Sequence, residues 1–143
     1  MLHPARSLSV SIERDWHEVY DFVSIPQNFP RWAAGLGKRF EQRGKEWIAE
    51  DPDGRQIRIR FSESNTYGVL DHTVIDSNGG ETHNALRVVP NGSGAEMMFT
   101  LLHKPHMSEE EFSADAAAIK RDLETLRSLL ESSPPASKRD RQV

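Results

Sequence analysis

Between Lys38 and His103 the chain changes side every residue, run after run, with a turn signal after each run. Runs at 38–43, 46–51, 56–62, 67–76, 82–90 and 94–103 alternate apolar and polar residues. The breaks between them are Gly44-Lys45, Pro52-Asp53-Gly54, Ser77 to Gly80 and Asn91-Gly92. Period two bounded by Gly, Pro and Asn is the pattern of strands joined by hairpins. Six such runs in succession predict an antiparallel meander, and one face of it must be covered. What covers it stands directly downstream. Ser108 and Glu111 form a capping box, with Met107 and Phe112 as a hydrophobic staple. Phe112, Ala116, Ile119, Leu123, Leu126 and Leu130 then recur at spacings of four and three, giving one apolar stripe. Pro134-Pro135 bars continuation, so the helix is predicted over 108–131.

Upstream, 7–13 alternates with Leu8, Val10 and Ile12 on one face and predicts a further strand. Asp15 opens a short amphipathic helix carrying Trp16, Val19, Tyr20 and Val23, which Pro26 ends. Asn28, Pro30 and Gly35 bound a second short helix over "NFPRWAAG". A single domain over 1–131 is expected, followed by a polar, Pro-interrupted tail, 132–143, with a disordered composition.

Hairpin turns set register, and register sets faces. Pro52-Asp53-Gly54 as a three-residue loop pairs Trp47 with Ile59 and Ala49 with Ile57. Gly44-Lys45 adds Phe40 and Gln42 to that inner face. Asn91-Gly92 puts Asn84, Leu86 and Val88 with Ala95, Met97, Phe99 and Leu101, and leaves Arg87 and Glu96 outside as a cross-strand ion pair. A turn of two or four residues at 77–80 places Val69, Asp71, Thr73 and Ile75 inside and His72 outside. Phe61 is expected inside, with His103 at the sheet end.

The net charge of −4 gives no electrostatic footprint for nucleic acid. With no cysteine, disulfides, thiol nucleophiles and thiolate metal sites are excluded. No stretch is long and apolar enough to span a membrane or serve as a signal peptide, so a cytoplasmic location is expected. His103 and His106, separated by Pro105, do not make a three-ligand metal set, and no metal is expected.

The order β-α-α-β6-α resembles the helix-grip fold of the START/SRPBCC superfamily, the polyketide cyclase/dehydrase and lipid-transport-like proteins. The resemblance covers about residues 5–131 and is carried by "SVSIERDWHEVYDFVSIPQNFPRWAAG", with Trp32 in its closing segment, by "YGVLDHTVID" and by the terminal helix. It implies an α+β fold: a curved seven-stranded antiparallel sheet wrapped around a long C-terminal helix, with a cavity for an apolar or aromatic small molecule between them. The expected lining is Phe40, Trp47, Ile59, Phe61, Val69, Asp71, Thr73, Asn84, Leu86, Met97, Phe99, Phe112 and Ile119. Phe40, Trp47, Phe61 and Phe99 form either an aromatic cage or ordinary core. Asp71 is either an acid/base in the cavity or a structural carboxylate held by protein donors.

Three functions fit this reading. The first is binding, carriage or sensing of such a molecule. The second is a polyketide cyclase/dehydratase-like reaction with Asp71 as acid/base, and the third a protein-interaction module. No cofactor is expected, and a homodimer is compatible with the chain.

Overall fold

A computed structural model describes residues 1–36 and 39–134. The start of the run expected at 38 and most of the tail expected at 132–143 lie outside the described residues. Strand β1 (Ala5–Ile12) leads into helix α1 (Trp16–Val23), a 3-10 turn (Pro26–Asn28) and the one-turn helix α2 (Phe29–Trp32). Strands β2 (Phe40–Arg43), β3 (Glu46–Glu50), β4 (Gln56–Phe61), β5 (His72–Ile75), β6 (Glu81–Asn91) and β7 (Gly94–Leu102) follow, and helix α3 (Glu109–Glu131) ends the order. All pairings are antiparallel, in the order β1-β7-β6-β5-β4-β3-β2, so this is the expected seven-stranded helix-grip sheet.

Local signals explain the elements. Asp15 caps α1 by accepting the His17 N–H. Ser108 and Glu111 form the capping box that starts α3, and three glutamates fill its first turn, where the helix dipole favours negative charge. In the Pro52-Asp53-Gly54 loop Gly54 takes φ +81°, and Trp47 pairs with Ile59 and Ala49 with Ile57 as expected. The loop is Gly92-Ser93, one residue on from the expected Asn91-Gly92 turn, and pairs Pro90 with Ala95 and Asn91 with Gly94, which keeps every expected face. Leu8, Val10, Ile12, Ala49, Ile59, Leu86, Val88, Ala95 and Met97 are buried against Ala116, Leu123, Leu126 and Leu130 of α3. Arg14 closes the structure at the other end of α3, donating to the carbonyls of Glu131 and Ser133 at 2.7 Å each.

One hairpin departs from expectation. Asp76 and Gly80 close a loop of three residues, Ser77, Asn78 and Gly79, with Gly79 at φ +85°. Asp76 Oδ1 accepts from the N–H groups of both Asn78 and Gly80, which holds the loop at that length. An odd loop reverses the parity that two or four residues would give. His72 therefore pairs with Asn84 and Val74 with Thr82, while Thr73 pairs with His83 and Ile75 with Glu81. The expected faces of this strand are corrected accordingly. Leu70, His72 and Val74 point inward, and Val69, Asp71, Thr73 and Ile75 take the outer parity. Ile75 is nonetheless buried, because Arg58 lies between it and the equally buried Ile48 across the outer face. The expected Arg87–Glu96 pair is replaced too: Arg87 stands opposite Met98 and turns to Asp71.

Candidate functional site

A cavity of about 480 Å³ lies between α3, α2 and the near half of the sheet. In a chain this size, interiors otherwise pack to near-crystalline density, and ligand sites fall in roughly the 300–1,000 Å³ range. Its apolar wall is made by Phe29, Trp32 and Ala33 around α2, Phe99 and Leu101 on β7, and Ala118, Ile119 and Leu123 on α3. Glu81, Thr82 and His106, all exposed, stand at the rim with Lys104, whose ammonium lies 3.4 Å from the Thr82 hydroxyl. A void of about 10 Å³ lined by Tyr20, Phe61, Leu70 and Leu86 adjoins it. Phe29, Trp32 and His72 border both spaces and form the partition.

The polar part of the wall comes from the shifted strand. His72 is 5% exposed, with Phe29 edge-on at a centroid distance of 5.3 Å and Phe61 at 5.9 Å. Its Nδ1 lies 3.2 Å from the Leu70 carbonyl. A carbonyl only accepts, so Nδ1 carries the proton and Nε2 presents a lone pair. The Asn84 amide nitrogen donates to that lone pair at 3.4 Å. Burial pushes the imidazole pKa below its ordinary value, against the Leu70 carbonyl and the Asp71 charge, which raise it; the ring is neutral. On α3, Asp115 and Asp122 also line the cavity, and burial raises both pKa values. Asp122 accepts the Ala34 N–H at 3.2 Å. Trp32 carries a buried indole N–H with no acceptor among the described residues.

Asp71 lies behind this wall. Its carboxylate accepts the Leu86 N–H at 2.9 Å and the Arg87 guanidinium at 3.0 Å, with His83 Nε2 at 3.4 Å. The ladder between Leu70 and Leu86 is open at that N–H, and the Asp71 side chain takes the place of a backbone carbonyl. Burial raises its pKa, but Arg87, the Leu86 N–H and His83 together outweigh burial and hold the carboxyl below its ordinary value. His83 Nδ1 in turn meets the Thr73 hydroxyl at 3.1 Å, so Thr73 is committed to the outer face.

Of the expected lining residues, the cavity brings together Asn84, Phe99 and Ile119. Phe61, Val69 and Leu86 border the small void instead. Phe40 and Trp47 stack on each other at 4.8 Å, and Ile59 and Met97 are core. Phe112 stacks on His103 at 4.5 Å. Asp71 and Thr73 lie on the other side of the sheet. Sequence reasoning missed Phe29, Trp32, Ala33, His72, Asp115 and Asp122. For His72 the signal was present in Asp76-Ser-Asn-Gly, which favours a three-residue loop with glycine in the left-handed position.

No family model matches the chain, and no curated protein does. Solved structures do. A conserved protein from Geobacillus kaustophilus superposes with a TM-score of 0.71 at 13% identity, covering 91% of this chain and 97% of that one. Ara h 8.0201 gives 0.68 at 8% identity, covering 91% and 99%. DynU16, from the dynemicin biosynthetic locus, gives 0.67 at 16% identity, with 92% of this chain on 48% of that one. At these identities the likeness is one of architecture, and the chain shares the helix-grip fold with all three.

Proposed function

We propose that this protein is a START/SRPBCC-type binding protein that carries or senses an apolar or aromatic small molecule between α3 and the sheet. The observation that supports this most directly is the cavity itself: about 480 Å³ with an aromatic and aliphatic wall, beside a hydrophobic core of buried side chains. Emptiness bordered by Phe29, Trp32, Phe99 and Leu123 is unfavourable to the protein alone, because lining atoms without partners forgo dispersion contacts. A bound molecule restores them. The cyclase/dehydratase reading draws on the likeness to DynU16, but Asp71 supplies no group to the cavity, so the binding reading has the better support.

The test is titration with the neutral fluorophore N-phenyl-1-naphthylamine. Saturable enhancement is expected in the native protein, and its loss in Ala118→Trp, where the indole fills the cavity. Quenching of protein emission should depend on Trp32 and not on Trp47. A fluorophore that does not bind, or that binds equally well to Ala118→Trp, would refute the reading and favour an interaction module.

A further inference from the structure

Resting on that binding reading, we infer that His72 and Asn84 form a recognition point for a neutral hydroxyl group on the ligand. The Leu70 carbonyl fixes the imidazole with its proton on Nδ1, so Nε2 is an acceptor. That acceptor has one long contact, 3.4 Å, from the Asn84 amide nitrogen. The same contact orients the amide: its nitrogen is toward Nε2, and among the described residues its oxygen and its second N–H have no hydrogen-bond partner; Asn84 lines the cavity. A buried, under-committed acceptor beside a free N–H and a free C=O matches a group that both donates and accepts. A hydroxyl does this with one atom. Trp32, on the same wall, adds a buried donor with no acceptor among the described residues. Phe29, edge-on to the imidazole, supplies the adjoining aromatic surface.

The charges on the wall argue against an anion at this point. A carboxylate would meet the Nε2 lone pair and the Asn84 oxygen while sharing the cavity with Asp115 and Asp122. Lys104, the one lysine at the rim among the described residues, is directed to Thr82. The inferred ligand therefore has an aromatic or alicyclic body and an uncharged hydroxyl, phenolic or alcoholic, at its inner end.

Displacement of N-phenyl-1-naphthylamine by 2-naphthol, 2-methoxynaphthalene and naphthalene-2-carboxylate tests this directly. The naphthol is expected to displace at about tenfold lower concentration than the ether, the size of one net hydrogen bond, and the carboxylate to be weakest. In Asn84→Leu and in His72→Phe the naphthol-to-ether ratio should fall close to one. The readout is a ratio within each variant, which a general change of cavity shape does not move. Asn84 is only half-buried, so Asn84→Leu keeps the test available if His72→Phe fails to fold. Equal displacement by naphthol and ether in the native protein would overturn the inference while leaving the binding reading intact. So would a preference that survives both substitutions, or a carboxylate that binds best. Failure of the fluorophore itself to bind would overturn the binding reading instead.

Discussion

Asp71 and His72 are neighbours in sequence with opposite electrostatic fates. Asp71 is held ionised by Arg87 and the Leu86 N–H, so its depressed pKa stabilises the fold above its unfolded value of about 3.9, and the contribution is lost as pH falls through the folded value. Asp71→Asn should destabilise at pH 7 by about 1–3 kcal/mol, since the buried N–H and guanidinium lose a charged acceptor; urea denaturation measures it. His72 has the other sign pattern for a base. Its folded pKa is depressed, so its neutral state is fully stabilising above the unfolded pKa of about 6.5 and the contribution declines as pH drops below that. Acid destabilisation should thus begin near pH 6.5, before the carboxylate phase below about 4, and His72→Phe should remove the first phase in a pH series of melting midpoints. Burial dominates the His72 shift, the Leu70 carbonyl opposes it, and of the titratable groups Asp71 favours the charged ring while His83 disfavours it. The inward position of one of the two residues was legible in "YGVLDHTVID"; which one it is depends on the parity of the three-residue loop that follows directly, and the carboxyl of Asp76 determines that parity.

At the scale of elements, most of the sheet could be read from its turns. At Gly54 the pairs agree residue for residue with expectation, and at Gly44 the face parity of Phe40 and Gln42 does. The stripe on α3 was equally legible, and Leu123, 1% exposed, is its centre. Leu123→Ala should cost about 2–5 kcal/mol, visible as a lowered midpoint in chemical denaturation. Less legible was the break before β5. Gly68 has φ +74° and passes so close to β6 that an added Cβ would lie 2.1 Å from the Val88 carbonyl oxygen. Gly68→Ala should therefore destabilise more than an ordinary strand substitution, and its N–H to Gly68 partner, Val88, should lose protection from amide exchange. The walls of the cavity were the hardest part to foresee, because periodicity marks which residues are buried and says nothing about where burial leaves a gap. Trp47 satisfies its hydrophobic surface against Phe40, and the one-turn α2, too short to show a period, holds Phe29 and Trp32 in the cavity wall.

Across the whole molecule, the cavity couples binding to stability. A ligand present at a hundred times its dissociation constant should stabilise the fold by about 2.7 kcal/mol, and a thermal shift with 2-naphthol should show it. The same asymmetry runs along α3. Its buried side chains are Ala116, Leu123, Leu126 and Leu130, and Arg14 grips the carbonyls at its last turn, whereas Asp115, Ala118, Ile119 and Asp122 border open space. The helix is clamped at its C-terminal end, whereas toward its N-terminus Phe112 on His103 and buried Ala116 hold one side and the cavity borders the other. Its amides should therefore exchange with deuterium on a gradient, fastest through the first two turns after Ser108 and slowest from Leu123 to Leu130. Occupation of the cavity should slow the fast end and leave the clamped end unchanged, and Arg14→Ala, by loosening the clamp, should flatten the gradient from the other side.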